Sequence, residues 1–206
     1  MIAETTETRW FWATDNLPDL CKWFTGETLF ITKNVESRTD EYLILPGCQS
    51  TGIKLRAGHL EVKILVADEG TFVFHDGVTG RVQRWIKWVF EDQAVRSFSG
   101  TDSKDWQSVT KSRLLRRFSM NGKLMERSSE YSSPASNCHI ELTKVALPQT
   151  SKTWVTLGIE SYGKNLDQTE VLKKTAQRFF LQQPQIPNEL THATSLSYPE
   201  WFALLE

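Results

Sequence analysis

The sequence predicts an α+β domain in which about eight antiparallel strands are followed by a helical C-terminal part. Two observations predict it. Apolar and polar residues alternate with a period of two through most of the chain up to Tyr162, which is the strand pattern. Beyond Tyr162 the apolar positions fall at three- and four-residue steps, which is the helix pattern. Strands gathered first and helices last imply α+β rather than alternating βαβ units.

Thr5–Trp12, rich in Thr and Trp, is the first expected strand. Asp15–Phe24 reads as a short amphipathic helix: Asp15 or Asn16 caps it, Leu17, Leu20, Cys21 and Phe24 share a face, and Gly26 follows its end. Ser37–Leu45 is a strand closed by Pro46-Gly47. Gly52–Arg56 and Leu60–Val66 flank Ala57-Gly58-His59, a three-residue hairpin connection, and Gly70–His75 is a weaker strand ending at Asp76-Gly77. Arg81–Phe90, Gln107–Phe118, His139–Leu147 and Thr153–Tyr162 complete the strands, while the Ser-rich Lys123–Asn137 reads as a mobile loop. Leu166–Gln182 is the main helix, stopped by Gln183-Pro184-Gln185-Ile186-Pro187. A last short helix starts at Ser197, a suitable N-cap, with Pro199 in its first turn.

Composition sets the class. The 206 residues carry 24 Lys and Arg against 25 Asp and Glu, a net charge of −1. One domain spanning residues 1–206 is expected, able to bury roughly 70% of its unfolded surface. No apolar run approaches the ~20 residues that a bilayer span requires. The opening MIAETTETRWFW lacks the basic-then-apolar order of a secretory signal, so a cytoplasmic protein with no membrane partner is expected. Near-neutral charge, and only a short basic run at Arg113–Arg117, predict no specific nucleic-acid partner. Three dispersed cysteines (Cys21, Cys48, Cys138) give neither a disulfide framework nor a zinc ribbon. The four histidines lack HxxxH spacing, so any metal falls to carboxylates, which favours Mg²⁺ or Mn²⁺. No GxSxG, GxxxxGK[ST] or GxGxxG motif is present.

The informative pattern is which face of each strand carries charge. Residues two apart point the same way in a strand. Glu7 shares a face with Arg9, Lys54 with Arg56, and Glu61 with Lys63; Lys87 lies with Arg81 and Trp85, and Lys111 pairs with Arg113. Glu141 sits opposite Ile140 and Leu142, and Glu160 opposite Ile159. Two arrangements fit. One is an open sheet whose charged face meets solvent. The other is a closed barrel with these side chains in its lumen, since eight strands enclose enough space for side chains or one elongated ligand. In the second, Arg9, Lys54, Arg56, Lys63, Lys87, Lys111 and Arg113 face only Glu7, Glu61, Glu141 and Glu160, a surplus of buried cations that calls for a polyanion or water. Arg and Lys suit phosphate oxygens, and carboxylates suit a divalent metal bridging those oxygens. Trp10, Trp85 and Trp88 serve either a stacked base or the core.

This arrangement resembles the CYTH-like, or triphosphate tunnel metalloenzyme, superfamily over most of Thr5–Tyr162. That family opens with a Glu-x-Glu-x-Lys strand; here Thr5-x-Glu7-x-Arg9 keeps the second Glu, replaces Lys by Arg, and has Thr5 for the first Glu. Arg38–Leu43 (RTDEYL), Ile53–Arg56 (IKLR), Leu60–Lys63 (LEVK) and Lys111-x-Arg113 resemble its later tunnel strands, and Glu141 and Glu160 its late acidic residues. The resemblance implies a closed or nearly closed eight-stranded tunnel that binds a triphosphate- or polyphosphate-bearing small ligand and hydrolyses it with Mg²⁺ or Mn²⁺. It assigns phosphate binding to Lys54, Arg56, Lys63, Lys111 and Arg113 with help from Arg9 and Lys87. It assigns metal binding to Glu7, Glu141 and Glu160, and catalysis to Glu141 and Glu160. Thr5 removes an expected ligand, so a non-catalytic anion-binding or protein-interaction module of the same fold is the alternative. An open sheet offering an apolar partner surface is the third reading. Oligomeric state has no sequence signal.

Overall fold

The computed structural model describes residues 2–26, 35–91, 105–121, 123–127, 137–164, 166–183 and 185–205. Among these residues ten strands form one antiparallel sheet: β1 (Ile2–Ala13), β2 (Glu36–Leu43), β3 (Thr51–Arg56), β4 (His59–His75), β5 (Val78–Phe90), β6 (Trp106–Asn121), β7 (Lys123–Arg127), β8 (Cys138–Ala146), β9 (Trp154–Tyr162) and β10 (Thr194–Ser195). Eight of them run in the order β1-β5-β4-β3-β2-β6-β8-β9, and β9 pairs back onto β1, so the sheet is a closed barrel. The first half of β1 pairs with β5 and its second half with β10, while β9 runs along its other side from Thr5 to Ala13. Closure abolishes the unpaired edges that an open sheet exposes.

The helices follow the sequence signals. α1 (Leu17–Thr25) buries Leu20 and Phe24 and ends at Gly26 with φ 64°; Asn16 is its N-cap residue, with its side-chain amide donating to Asp19 at 2.8 Å. α2 (Gln168–Leu181) is capped by Asp167, whose carboxylate accepts from the Glu170 amide at 3.0 Å. Its buried stripe, from Val171 and Leu172 to Phe179 and Phe180, covers the outside of the barrel. Of the stop signal that follows α2, Pro184 lies outside the described residues. α3 (Asn188–Thr191) and α4 (Tyr198–Ala203) complete the set, and α4 opens with a full capping box between Ser197 and Glu200. Among the described residues no helix is long and apolar enough to cross a membrane.

Three local expectations are corrected. Lys123–Arg127 is a strand, because it folds back antiparallel on Arg117–Asn121 at the end of β6 and takes its pairing from that neighbour rather than from its own pattern; residues 128–136 lie outside the described residues. Leu60–Val66 and Gly70–His75 are one strand, β4, which crosses the intervening charges through irregularities at Leu65/Ala67 and Asp68/Gly70. The β3–β4 connection is two residues, not three: Ala57 (φ 48°) and Gly58 (φ 78°) both take the left-handed conformation that a tight hairpin turn demands. Neither α3 nor β10 carries a periodic signal long enough to read.

Two separate apolar clusters result. The larger lies outside the barrel, where Trp10, Ile140, Leu157 and Ile159 meet α1 and α2. The smaller lies inside it. Phe11, Tyr42, Val109 and Val145 project inwards and receive Trp201 and Phe202 of α4, which enters the barrel as a floor. Trp201 stacks on Phe11 at 4.8 Å with an interplanar angle of 10°.

Candidate functional site

Above that floor the lumen holds a cavity of about 150 Å³. All ten side chains expected at the site, Glu7, Arg9, Lys54, Arg56, Lys63, Lys87, Lys111, Arg113, Glu141 and Glu160, line it together. The charged strand faces are therefore internal. Nine Lys and Arg residues line the cavity against five Glu residues, because Glu61, Arg38, Arg81 and Glu200 join those ten.

The deepest charges are Asp40 and Lys111. Asp40, which sequence reasoning missed, has a fully buried side chain shared among three cations: Lys111 at 3.2 Å, Arg38 at 3.2 Å and Lys54 at 3.8 Å. Burial alone would raise its carboxyl, but Lys54, Lys111 and Arg38 outweigh that and lower it. The Lys111 side chain is 4% exposed. It donates to the Tyr42 hydroxyl at 2.5 Å and sits over the rings of Tyr198 and Tyr42, at 3.8 and 4.7 Å from their centroids. Burial, with Lys54 and Arg9 adding repulsion that Asp40 only partly offsets, pushes this amine well below its ordinary value.

One layer nearer the mouth, Glu141 is held on both oxygens. Arg9 Nη2 donates to Oε1 at 2.7 Å and Arg113 Nη1 to Oε2 at 3.1 Å. Burial opposes ionisation, yet these two guanidinium groups hold the carboxyl well below the usual range. Arg9 reaches this position because Gly158 faces it across the β1–β9 pair. A Cβ at Gly158 would lie 2.6 Å from the guanidinium carbon. Glu7 is bound by Lys63 and also accepts from the Thr5 hydroxyl at 2.7 Å. Glu160 stands directly opposite Glu7 in the β1–β9 register and makes no ion pair among the described residues. Burial and the neighbouring Glu7 charge raise its pKa, against the pull of Lys63 and Lys87.

The proposed metal set can be weighed against this geometry. Both Glu141 oxygens are committed to arginines, and Glu7 to Lys63 and Thr5. Among the described residues no three His, Cys, Asp or Glu side chains gather as metal ligands. Glu141 as it stands is closed to Mg²⁺ or Mn²⁺, whereas Lys63 and Thr5 occupy only Oε1 of Glu7, and Glu160 makes no ion pair among the described residues.

At the rim, Glu36 is surrounded by Arg38, Arg56 and Arg113. On the floor side Arg81 reaches Glu200, whose second oxygen closes the α4 capping box on the Ser197 amide at 2.7 Å. Trp85 is buried and lines the cavity, with Lys63 5.8 Å above its ring, whereas Trp10 belongs to the outer core.

His139, on the Glu141 face of β8, shares a hydrogen bond between Nε2 and the Tyr162 hydroxyl at 2.6 Å. Burial, with Arg117 adding repulsion, pushes its imidazole down to about 4. A depressed histidine stabilises the fold fully above the ordinary value near 6.5, and that contribution fades as pH falls towards 4, because the unfolded chain takes up a proton that the folded chain refuses. The expected loss over that window is of order 2 kcal/mol. Thermal unfolding of His139→Gln should show a flatter profile between pH 6.5 and 4.5 than the wild type. Identical profiles would assign the transition to another group.

Neither a protein-family model nor a curated protein matches the sequence.

Proposed function

We propose that the lumen binds a compact polyphosphate group, such as a triphosphate, through its cations alone and without turnover. A surplus of cations around one cavity carries this reading: nine Lys and Arg stand against the five Glu of the lining, and against seven carboxylates once Asp40 and Glu36, paired with the same cations, are counted. Cations gathered away from bulk solvent repel one another, and a multiply charged anion relieves that repulsion as it enters. Arginine forks and lysine ammonium groups make strong charge-assisted bonds to phosphate oxygens. A cavity of about 150 Å³ is the size that elsewhere takes up one benzene. It admits a short phosphate chain and leaves a nucleoside or other bulky substituent at the mouth. The resemblance to the triphosphate tunnel superfamily points to the same ligand class. The commitment of Glu7 and Glu141 to cations favours binding over metal-assisted hydrolysis.

Calorimetric titration of tripolyphosphate into the protein, with and without Mg²⁺ and with released phosphate followed in parallel, tests this. Binding is expected in both conditions, weakening with salt, with no phosphate released. Lys87→Ala should weaken it about tenfold, the equivalent of roughly 1.4 kcal/mol. Lys87 has no ion-pair partner among the described residues, so its loss strands no carboxylate. No heat in either condition overturns the reading, and Mg²⁺-dependent phosphate release replaces it with the hydrolase.

A further inference from the structure

Three arginines from three different strands converge on one carboxylate at the mouth of the lumen. Glu36 is the first residue of β2, and its side chain is 46% exposed. Its Oε1 accepts from Arg38 Nη1 at 2.6 Å and lies 3.6 Å from Arg56 Nη2, while Arg113 Nη2 donates to Oε2. Each arginine also has a second carboxylate of its own. Arg38 holds Asp40 at 3.2 Å, Arg56 lies 3.8 Å from Glu61, and Arg113 holds Glu141 at 3.1 Å. Without Glu36, Arg38 and Arg113 stay hydrogen-bonded to Asp40 and Glu141, and Arg56 keeps its longer ion pair with Glu61. Withdrawing that one side chain leaves a preorganised cradle of three forks.

We infer that this cradle is a phosphoryl-binding subsite and that Glu36 is its resident competitor, a built-in carboxylate standing where the outermost phosphoryl group of the ligand docks. The inference rests on the reading of the lumen as a polyphosphate site, and adds where the outer end of the chain sits and what it displaces. The exchange has a chemical direction. Glu36 offers one charge and two oxygens to three guanidinium groups, so two of them crowd a single oxygen. A terminal phosphoryl group offers about −1.5 to −2 charge and three strong acceptor oxygens, one for each fork. A half-exposed side chain at the start of a strand swings into solvent at little cost, whereas Glu141 and Asp40 are locked deeper in the lattice.

Tripolyphosphate titrated into wild type, Glu36→Ala, Glu36→Gln and the double variant Glu36→Ala/Arg56→Ala tests it. Glu36→Ala should bind tenfold tighter or more, and Glu36→Gln, which keeps the shape and removes the charge, should recover most of that gain. Arg56→Ala should cancel it. Inorganic phosphate, which fills the cradle alone, should show a gain of similar size at weaker affinity. Affinity unchanged or weakened in Glu36→Ala, with wild type still binding, overturns the competitor and leaves the lumen reading intact. Inorganic phosphate binding Glu36→Ala as tightly as tripolyphosphate overturns the assignment of the cradle to the end of a longer chain. Silence from wild type and every variant removes both the inference and the lumen reading.

Discussion

Replacing Asp40 with Ala should destabilise the barrel by about 3–5 kcal/mol, the cost of stripping one partner from a buried charge cluster. Asp40 is 0% exposed and touches Lys111, Arg38 and Lys54. Without it Lys111 keeps the Tyr42 hydroxyl and two aromatic faces but loses its only ion-pair carboxylate among the described residues. Lys111 can shed its proton, and its already depressed pKa eases that escape, so the cost stays below what a fixed buried charge would impose. The same logic sets a second expectation. Asp40→Leu/Lys111→Met removes both charges together and should lie closer to wild type than Asp40→Ala does, because Arg38 and Lys54 keep Glu36 and Glu61 and the remaining loss is the donor to the Tyr42 hydroxyl. Urea unfolding of the single and double variants decides it. A single variant within about 1 kcal/mol of wild type would show that Arg38 and Lys54 do not depend on Asp40.

Trp201→Ala is expected to cost about as much, 3–5 kcal/mol by analogy with other large aromatic truncations in cores, for a different reason. Trp201 is 1% exposed, stacks on Phe11 and meets the Trp154 ring edge-on at 5.5 Å. Its loss cuts a hole in the barrel floor, and water reaching Lys111 would return that amine towards its ordinary titration. Trp201→Phe should be far milder, within about 1.5 kcal/mol, as volume-similar swaps are. The indole N–H has no hydrogen-bond partner among the described residues, so the swap gives up no polar contact there. Denaturant midpoints of the two variants, read with the pH dependence of the Lys111 amine by NMR, check both halves. A Trp201→Ala protein of native stability would show that α4 is not needed as a floor.

Much of the lumen was legible from local spacing alone. Pairs such as Lys54/Arg56 and Lys111/Arg113 needed only the two-residue period to be placed on one face, and the structure turns those faces inwards. Which way they turn was not local information. The alternation of Leu60, Val62 and Ile64 against Glu61 and Lys63 is the same in an open sheet and a closed one, and closure rests on pairing between β1 and β9 from opposite ends of the strand region. Asp40 and Glu36 carried the same signal, since Glu36, Arg38, Asp40 and Tyr42 fall at two-residue steps. Glu36 falls one residue before the strand start that the sequence indicates at Ser37, and Glu41 puts a charge on the opposite face, so this strand lacks the clean charged-against-apolar alternation of the others. Glu200 and Trp201 were beyond reach. The Ser197 cap announces a helix start, but nothing in six residues says that the helix enters a barrel.

The seam between β1 and β9 has a kinetic consequence. Thr5 pairs with Tyr162 and Ala13 with Trp154, so the ring shuts only when segments from far apart in the chain find each other. Such non-local contacts carry a large loop-closure entropy and slow the approach to the native state. Until they form, β1 and β9 each present a raw edge able to pair with another chain. Refolding is therefore a race between sealing within one molecule and association between molecules, and dilution favours the first.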